Sequence, residues 1–241
     1  MMPTSQPCIL PTIRVWLGGS FDPVHHGHLA IIEHIYQQLQ RYLPDYPKQL
    51  YLLPTAGSPL KERPTPAADR LAMLHLASQH YPYLNIDETE INMPPPVFTI
   101  DTLQLFAERY PNDIRIFVLG EDSILSLTKW KNGFELIDWA NLWVLPRPAL
   151  NGRHNAVIDK TMAESLAKQV DTVLQKYVIL SAASFMDSLI DSQHAHIYID
   201  NYVPPHVSSS AIRMQLTAGE SSNDLPLAVQ AFIKQKGLYR R

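Results

Sequence analysis

Short apolar runs alternating with helix-periodic stretches constrain this chain more than any other feature. Ile13–Leu17, Leu50–Leu53, Ile114–Leu119 and Leu142–Leu145 read as buried strands, and Ile197–Ile199 as a late one. Between them, Leu29, Ile32, Ile35 and Leu39 recur at helical spacing from His26 to Tyr42. Thr65-Pro66 predicts a helix cap followed by proline at the first helical position, with Leu71, Leu74 and Leu76 on the helix after it. Leu84–Ile91 reads as a strand region closed by Pro94-Pro95-Pro96, and Thr99–Tyr110 as a helix with Leu103, Phe106 and Ala107 inward. Met162–Lys176 reads as an amphipathic helix, an expected insertion around 151–176 after the polar turn Asn151–Asn155. Two more helical stretches follow the late strand. Strands buried on both faces, each connected through a helix, imply an α/β fold. The expected architecture is a doubly wound parallel sheet with helices on both faces, in a single domain over residues 1–241.

The first strand ends in Gly18-Gly19-Ser20-Phe21-Asp22-Pro23-Val24-His25-His26-Gly27-His28. Open parallel sheets bind ligands beyond the carboxyl ends of their strands, where loops lead into helices. Gly18 and Gly19 let the backbone approach a ligand, and the N–H groups of the next helix favour an anion. His25 and His28, three residues apart, can face one side of that helix start and donate to phosphate oxygens. A His-rich turn that merely caps a helix is the plainer alternative. Zinc is disfavoured because no acidic or cysteine partners stand at zinc spacings nearby.

Formal net charge is -3, so nothing global attracts nucleic acid or a membrane, and any pull on phosphate must be local. Cys8 is the one cysteine; it excludes an intrachain disulfide, reads as an inert thiol and fits a reducing compartment. Met1–Pro11 shows neither a basic segment nor a long apolar run, so a cytoplasmic protein is expected.

Near the other end, Val207-Ser208-Ser209-Ser210-Ala211-Ile212-Arg213 clusters hydroxyls at a helix start, with Arg213 one turn on. Such hydroxyls cap N–H groups and can reach a phosphate, which Arg213 can also grip. Taken alone, a plain cap with a solvated arginine would suffice. No Gly-x-x-x-x-Gly-Lys-Ser/Thr and no Gly-x-Gly-x-x-Gly occurs, against a P-loop enzyme and a dinucleotide-binding dehydrogenase.

The first segment resembles the nucleotidylyltransferase signature Gly-x-Phe-Asp-Pro-x-His-x-Gly-His, with His26 at the variable position. Val207–Arg213 is similar to that family's Ser-Ser/Thr-x-Ile-Arg element. Gly120-Glu121-Asp122-Ser123 with Trp130 resembles the Gly-x-Asp-Ser…Trp block of the bacterial nicotinate-nucleotide adenylyltransferase branch. Phe98-Thr99-Ile100-Asp101-Thr102-Leu103, Pro146-Arg147-Pro148 and Gly237-Leu238-Tyr239-Arg240 resemble further elements of that branch. The resemblance implies a Rossmann-like fold and transfer of AMP from ATP to nicotinate mononucleotide, with Mg²⁺ arriving on ATP. It implies catalytic roles for His25, His28 and Arg213. ATP would meet Gly18, Gly19, Ser20, Phe21, Gly120, Asp122, Ser209 and Ser210. The mononucleotide would meet Asp22, Lys61, Phe98, Thr99, Trp130 and Arg147. Core packing is the alternative for Trp130 and solvation for Lys61.

Three departures bear on the acceptor. Leu60 stands at the histidine position of the family's Pro-His-Lys/Arg loop, Val97-Phe98 replaces Ser-Tyr, and Ala149 replaces a glycine. Rival readings are a same-fold adenylyltransferase with another acceptor, such as nicotinamide mononucleotide, and a regulator that binds nucleotide without turning it over.

Overall fold

The computed structural model describes residues 10–56, 65–147, 156–192 and 194–240. Strand β1 (Ile13–Gly19) leads into α1 (His26–Tyr42), and β2 (Lys48–Pro54) into α2 (Ala67–Ser78). β3 (Leu84–Ile86) is followed by α3 (Thr89–Asn92) and α4 (Thr99–Arg109). β4 (Ile114–Gly120) runs into α5 (Glu121–Leu125) and two 3₁₀ turns, Leu127–Lys129 and Gly133–Asp138, before β5 (Asn141–Leu145). Then come β6 (Val157–Ile158), α6 (Lys160–Gln169), α7 (Thr172–Gln175), β7 (Val178–Ile179) and α8 (Ala182–Asp191). β8 (Ile197–Ile199), β9 (Tyr202–Val203), α9 (Ser209–Thr217) and α10 (Leu227–Lys236) follow.

Seven strands form one parallel sheet in the order β3-β2-β1-β4-β5-β8-β7, and β6 pairs with β9 in a small antiparallel ribbon. The strands bury both faces because their side chains alternate. Val15, Leu17, Ile116, Val118, Trp143 and Tyr198 point into one core with helices α1, α2, α8, α9 and α10. Trp16, Phe117, Leu119, Leu142, Val144 and Ile199 point into the other with α4 and α6. Helices therefore cover both faces, as expected of a doubly wound sheet.

Where chain order reverses, β1 and β4 part company. Their pairing ends at Leu17 opposite Val118, whereas β1 stays paired with β2 as far as Gly19 opposite Pro54. That switch point opens the crevice in which such sheets hold ligands.

Several expected boundaries move. The strand region Leu84–Ile91 is a strand only to Ile86, because Asp87 Oδ1 accepts from the Thr89 N–H and starts α3. Thr65 is not the cap of α2; Pro66 takes that place and Ala67 is the first helical residue. The single helix expected over Met162–Lys176 is two, since Asp171 accepts from the Val173 N–H and caps a new one. Its apolar residues Ala163, Leu166 and Leu174 are core residues. α8 and the two-residue strands β6, β7 and β9 are additional to the elements the spacing predicts. Cys8, Leu60, Lys61, Pro148, Ala149 and the turn Asn151–Asn155 lie outside the described residues. No described helix is long and apolar enough to cross a membrane.

One buried carboxylate ties the helix carrying the histidines to the far strands. Asp200 is 1% exposed, with its Oδ2 2.7 Å from His34 Nε2 on α1 and 2.9 Å from the Trp143 Nε1–H donor. Its Oδ1 accepts from the Tyr198 hydroxyl and the Tyr202 N–H. Asp200→Ala strands these donors and is expected to cost about 3–5 kcal/mol. Asp101→Ala, which breaks the exposed pair with Lys131, should cost less than about 1 kcal/mol. Urea denaturation measures both, and similar costs would contradict the role given to Asp200.

Candidate active site

A cleft of about 550 Å³ opens at the switch point, lined by His25, Gly27 and His28 of the first motif, by Gly120 at the end of β4 and by Asp122 just after it. Arg147 beyond β5 and the segment Pro204–Ser209 complete its wall.

The β1–α1 loop builds the histidine pair. Phe21 adopts φ +46°, a left-handed conformation that an aromatic residue takes only when its surroundings hold it there. Its buried ring packs edge-on against His28, with centroids 4.9 Å apart. A Cβ at Gly27 would lie 3.0 Å from His25 Nδ1 and push on that ring. The two imidazoles stack at 3.7 Å. The His25 N–H donates to His28 Nδ1 at 3.3 Å, which makes Nδ1 the acceptor and leaves the hydrogen on Nε2. His28 thus has one N–H to offer the cleft. The helix start has less to give than expected, since the His26 N–H already donates to the Asp224 carbonyl at 2.8 Å.

Burial, reinforced by the charge of His26, lowers His25 to about 4, and burial with His25 beside it lowers His28 well below the usual range. Both are neutral donors at pH 7 in the free protein.

The second motif docks onto the first. Ser208 caps α9, its hydroxyl accepting from the Ala211 N–H. The Ser209 hydroxyl donates to the Pro23 carbonyl at 2.9 Å, and Arg213 Nη1 donates to the Asp22 carbonyl at 2.6 Å. Arg213 Nη2 donates to the Ser210 hydroxyl at 3.0 Å. A guanidinium has five N–H donors, so the remaining ones stay available to a phosphate. Asp122 and Arg147 form an exposed ion pair at 2.8 Å where β4 and β5 end.

The structure therefore gathers His25, His28, Gly120, Asp122, Arg147 and Ser209 around one cleft, with Ser210 and Arg213 attached through the loop. Gly18 and Gly19 end β1 and are not among the cleft-lining residues. A Cβ on either would crowd the Phe117 or Phe21 ring. The Ser20 carbonyl is held by Arg70. Phe21 and Asp22 are buried and are not among the cleft-lining residues. Phe98, Thr99 and Trp130 are not among the cleft-lining residues. Phe98 and Thr99 start α4, where Lys131, next to Trp130, pairs with Asp101 and lies over the Phe98 ring at 4.8 Å. Sequence reasoning missed Arg70, Ile31 and His206, none of which belongs to a recognisable spacing.

A switch-point cleft with imidazoles at one helix start and hydroxyls at another defines a class of phosphate-handling proteins. The cytidylyltransferase-like family model matches residues 16–215. A Yersinia enterocolitica protein named "Probable nicotinate-nucleotide adenylyltransferase" is 34% identical over 245 residues, 99% of this chain and 100% of its own. One of the same name from Idiomarina loihiensis is 30% identical over 228 residues, 94% of this chain and 99% of its own. The chain belongs to the nicotinate-nucleotide adenylyltransferase family, within the cytidylyltransferase-like proteins. Its fold is similar to that of a Plasmodium falciparum nicotinic acid mononucleotide adenylyltransferase complexed with NaAD. That structure has a TM-score of 0.63 at 19% identity, covering 95% of this chain and 97% of that one.

The histidine burial has a measurable consequence. An unfolded imidazole takes its proton near pH 6.5, and His25 in the fold only near 4. Between these values the unfolded state binds more protons, so the stability His25 contributes is whole above pH 6.5 and is lost as pH falls toward 4. From pH 7 to pH 5 that loss is about 2 kcal/mol. Glu90, raised to about 7 by burial, acts in the opposite sense and cancels when two variants are compared. Urea denaturation should show the native chain losing about 2 kcal/mol more than His25→Gln over that interval. Equal losses would contradict burial as the cause.

Proposed function

We propose that the protein transfers AMP from Mg·ATP to nicotinate mononucleotide, giving nicotinate adenine dinucleotide and pyrophosphate. The observation that carries this reading is the docking of two phosphate-handling motifs into one cleft. The 5′-phosphate of the mononucleotide attacks the α-phosphorus of ATP in line, and the bond to the bridging oxygen breaks. The nucleophile is already an anion, so no general base is needed. Catalysis then rests on positioning and on charge stabilisation.

His28 donates from Nε2–H to the α-phosphate, and His25 stacks behind it and lines the same wall. The start of α9, with Ser209, Ser210 and the spare N–H groups of Arg213, holds the departing pyrophosphate. Gly120 and Asp122 lie on the adenosine side. Mg²⁺ comes as part of the substrate and keeps most of its water. The mononucleotide lies toward Arg147, Trp130 and the start of α4. The first N–H groups of α4, which lack helical partners, support an acidic base there, while Lys131 beside Phe98 already shares its charge with Asp101. Lys61 belongs to the same set by resemblance.

Purified protein with Mg·ATP and the mononucleotide should release pyrophosphate and dinucleotide together. Release from neither the acid nor the amide would favour a binding protein without turnover. His28→Ala should lower kcat by about 10²–10³ with the fold intact, and His26→Ala far less. Near-normal turnover in His28→Ala would refute the phosphate role.

The acid should be preferred over nicotinamide mononucleotide. An amide would leave a polar group unpaired against the same donors, costing about 1–3 kcal/mol, or roughly one to two powers of ten in kcat/KM. Equal kcat/KM for the two would mean that the pocket reads ring shape and ignores the carboxylate.

A further inference from the structure

Beyond α10 the chain turns back on the signature loop. Gly237 ends the helix at φ +64°, and Tyr239 adopts φ +61°, a left-handed conformation that a tyrosine holds only where other contacts fix it. Three contacts do so. The Tyr239 hydroxyl donates to Asp22 Oδ1 at 2.7 Å and accepts from the Thr65 side chain. The Thr217 hydroxyl, on the last turn of α9, shares its one hydrogen between the Arg213 carbonyl at 2.8 Å and the Tyr239 carbonyl at 3.0 Å.

Asp22 is 3% exposed, and its own carbonyl is the acceptor for Arg213. Arg70 stands near enough to Asp22 for the two charges to interact, and it binds the carbonyls of Ser20 and Thr55. Tyr239 therefore touches both ends of one short relay. Its hydroxyl holds the side chain of Asp22, the main-chain carbonyl of Asp22 holds the guanidinium of Arg213, and the Tyr239 carbonyl meets the Thr217 hydroxyl of the helix that carries Arg213.

We propose that Tyr239 is a positioning residue: its hydroxyl holds Asp22 so that Arg213 is aimed at the pyrophosphate portion of the nucleotide. The inference rests on the phosphate-gripping role given above to Arg213. A purely structural role is separable from it. The Tyr239 ring packs against the core on that face of the sheet, and Tyr239→Phe keeps this packing while removing only the O–H.

The test is a double-mutant cycle of the native chain, Tyr239→Phe, Arg213→Ala and the double variant. Pyrophosphate affinity is read by calorimetry and kcat by pyrophosphate release. Tyr239→Phe is expected to weaken pyrophosphate binding and lower kcat by about tenfold when Arg213 is present, within the range for residues sharing one network. In the Arg213→Ala background the same change should cost less than about twofold. An equal loss in both backgrounds, or none in either, overturns the proposal. If Tyr239→Phe does not fold, Thr65→Val removes the donor to the Tyr239 hydroxyl without touching α9, and the same coupling to Arg213 is required of it. Coupled pyrophosphate binding without any turnover in the native chain would refute adenylyl transfer and support the relay. Normal turnover without coupling would refute the relay alone.

Discussion

The site depends on the docking of α9 onto the β1–α1 loop. Two hydrogen bonds make that junction, Ser209 to the Pro23 carbonyl and Arg213 to the Asp22 carbonyl, between residues 186 and 191 apart in sequence. Without it, each motif would be an ordinary helix start. With it, the donors of α9 and the imidazole of His28 face one volume, at the point where β1 and β4 separate. The sheet supplies the crevice, and the junction decides what the crevice can hold.

Electrostatics in the cleft follow from burial more than from formal charge. The chain is slightly acidic overall, and burial favours the neutral form of both histidines. The cationic contribution near the loop comes from Arg213, while Arg70 is spent on loop carbonyls. In the proposed reaction, a neutral donor at the α-phosphate and a cation at the leaving group would place the stronger field where negative charge accumulates. The same burial makes the histidine pair costly to protonate, which links fold stability to the state of the site.

What the sequence made legible was contiguous. α1 begins and ends at His26 and Tyr42, as its apolar spacing requires, and β8 spans Ile197–Ile199. Both motifs that line the cleft could be read because each lies in one unbroken stretch beside a strand or helix boundary. Boundaries set by a single side chain were less visible. Asp87 ends β3 early and Asp171 splits the later helix, each by capturing a nearby N–H group. Strands of two residues carry no periodicity to detect. Least legible were the bonds between distant residues, such as Tyr239 with Asp22 and His34 with Asp200, 217 and 166 positions apart. Nothing local in the sequence marks such a pair.

A crystal structure with a non-hydrolysable ATP analogue would test the junction and its chemistry together. An α-phosphate oxygen is expected within hydrogen-bond distance of His28 Nε2, with the β- and γ-phosphates at the start of α9 beside Arg213. A triphosphate bound away from His28, or one that leaves α9 untouched, would contradict the claim that the two motifs form one adenylyl-transfer site.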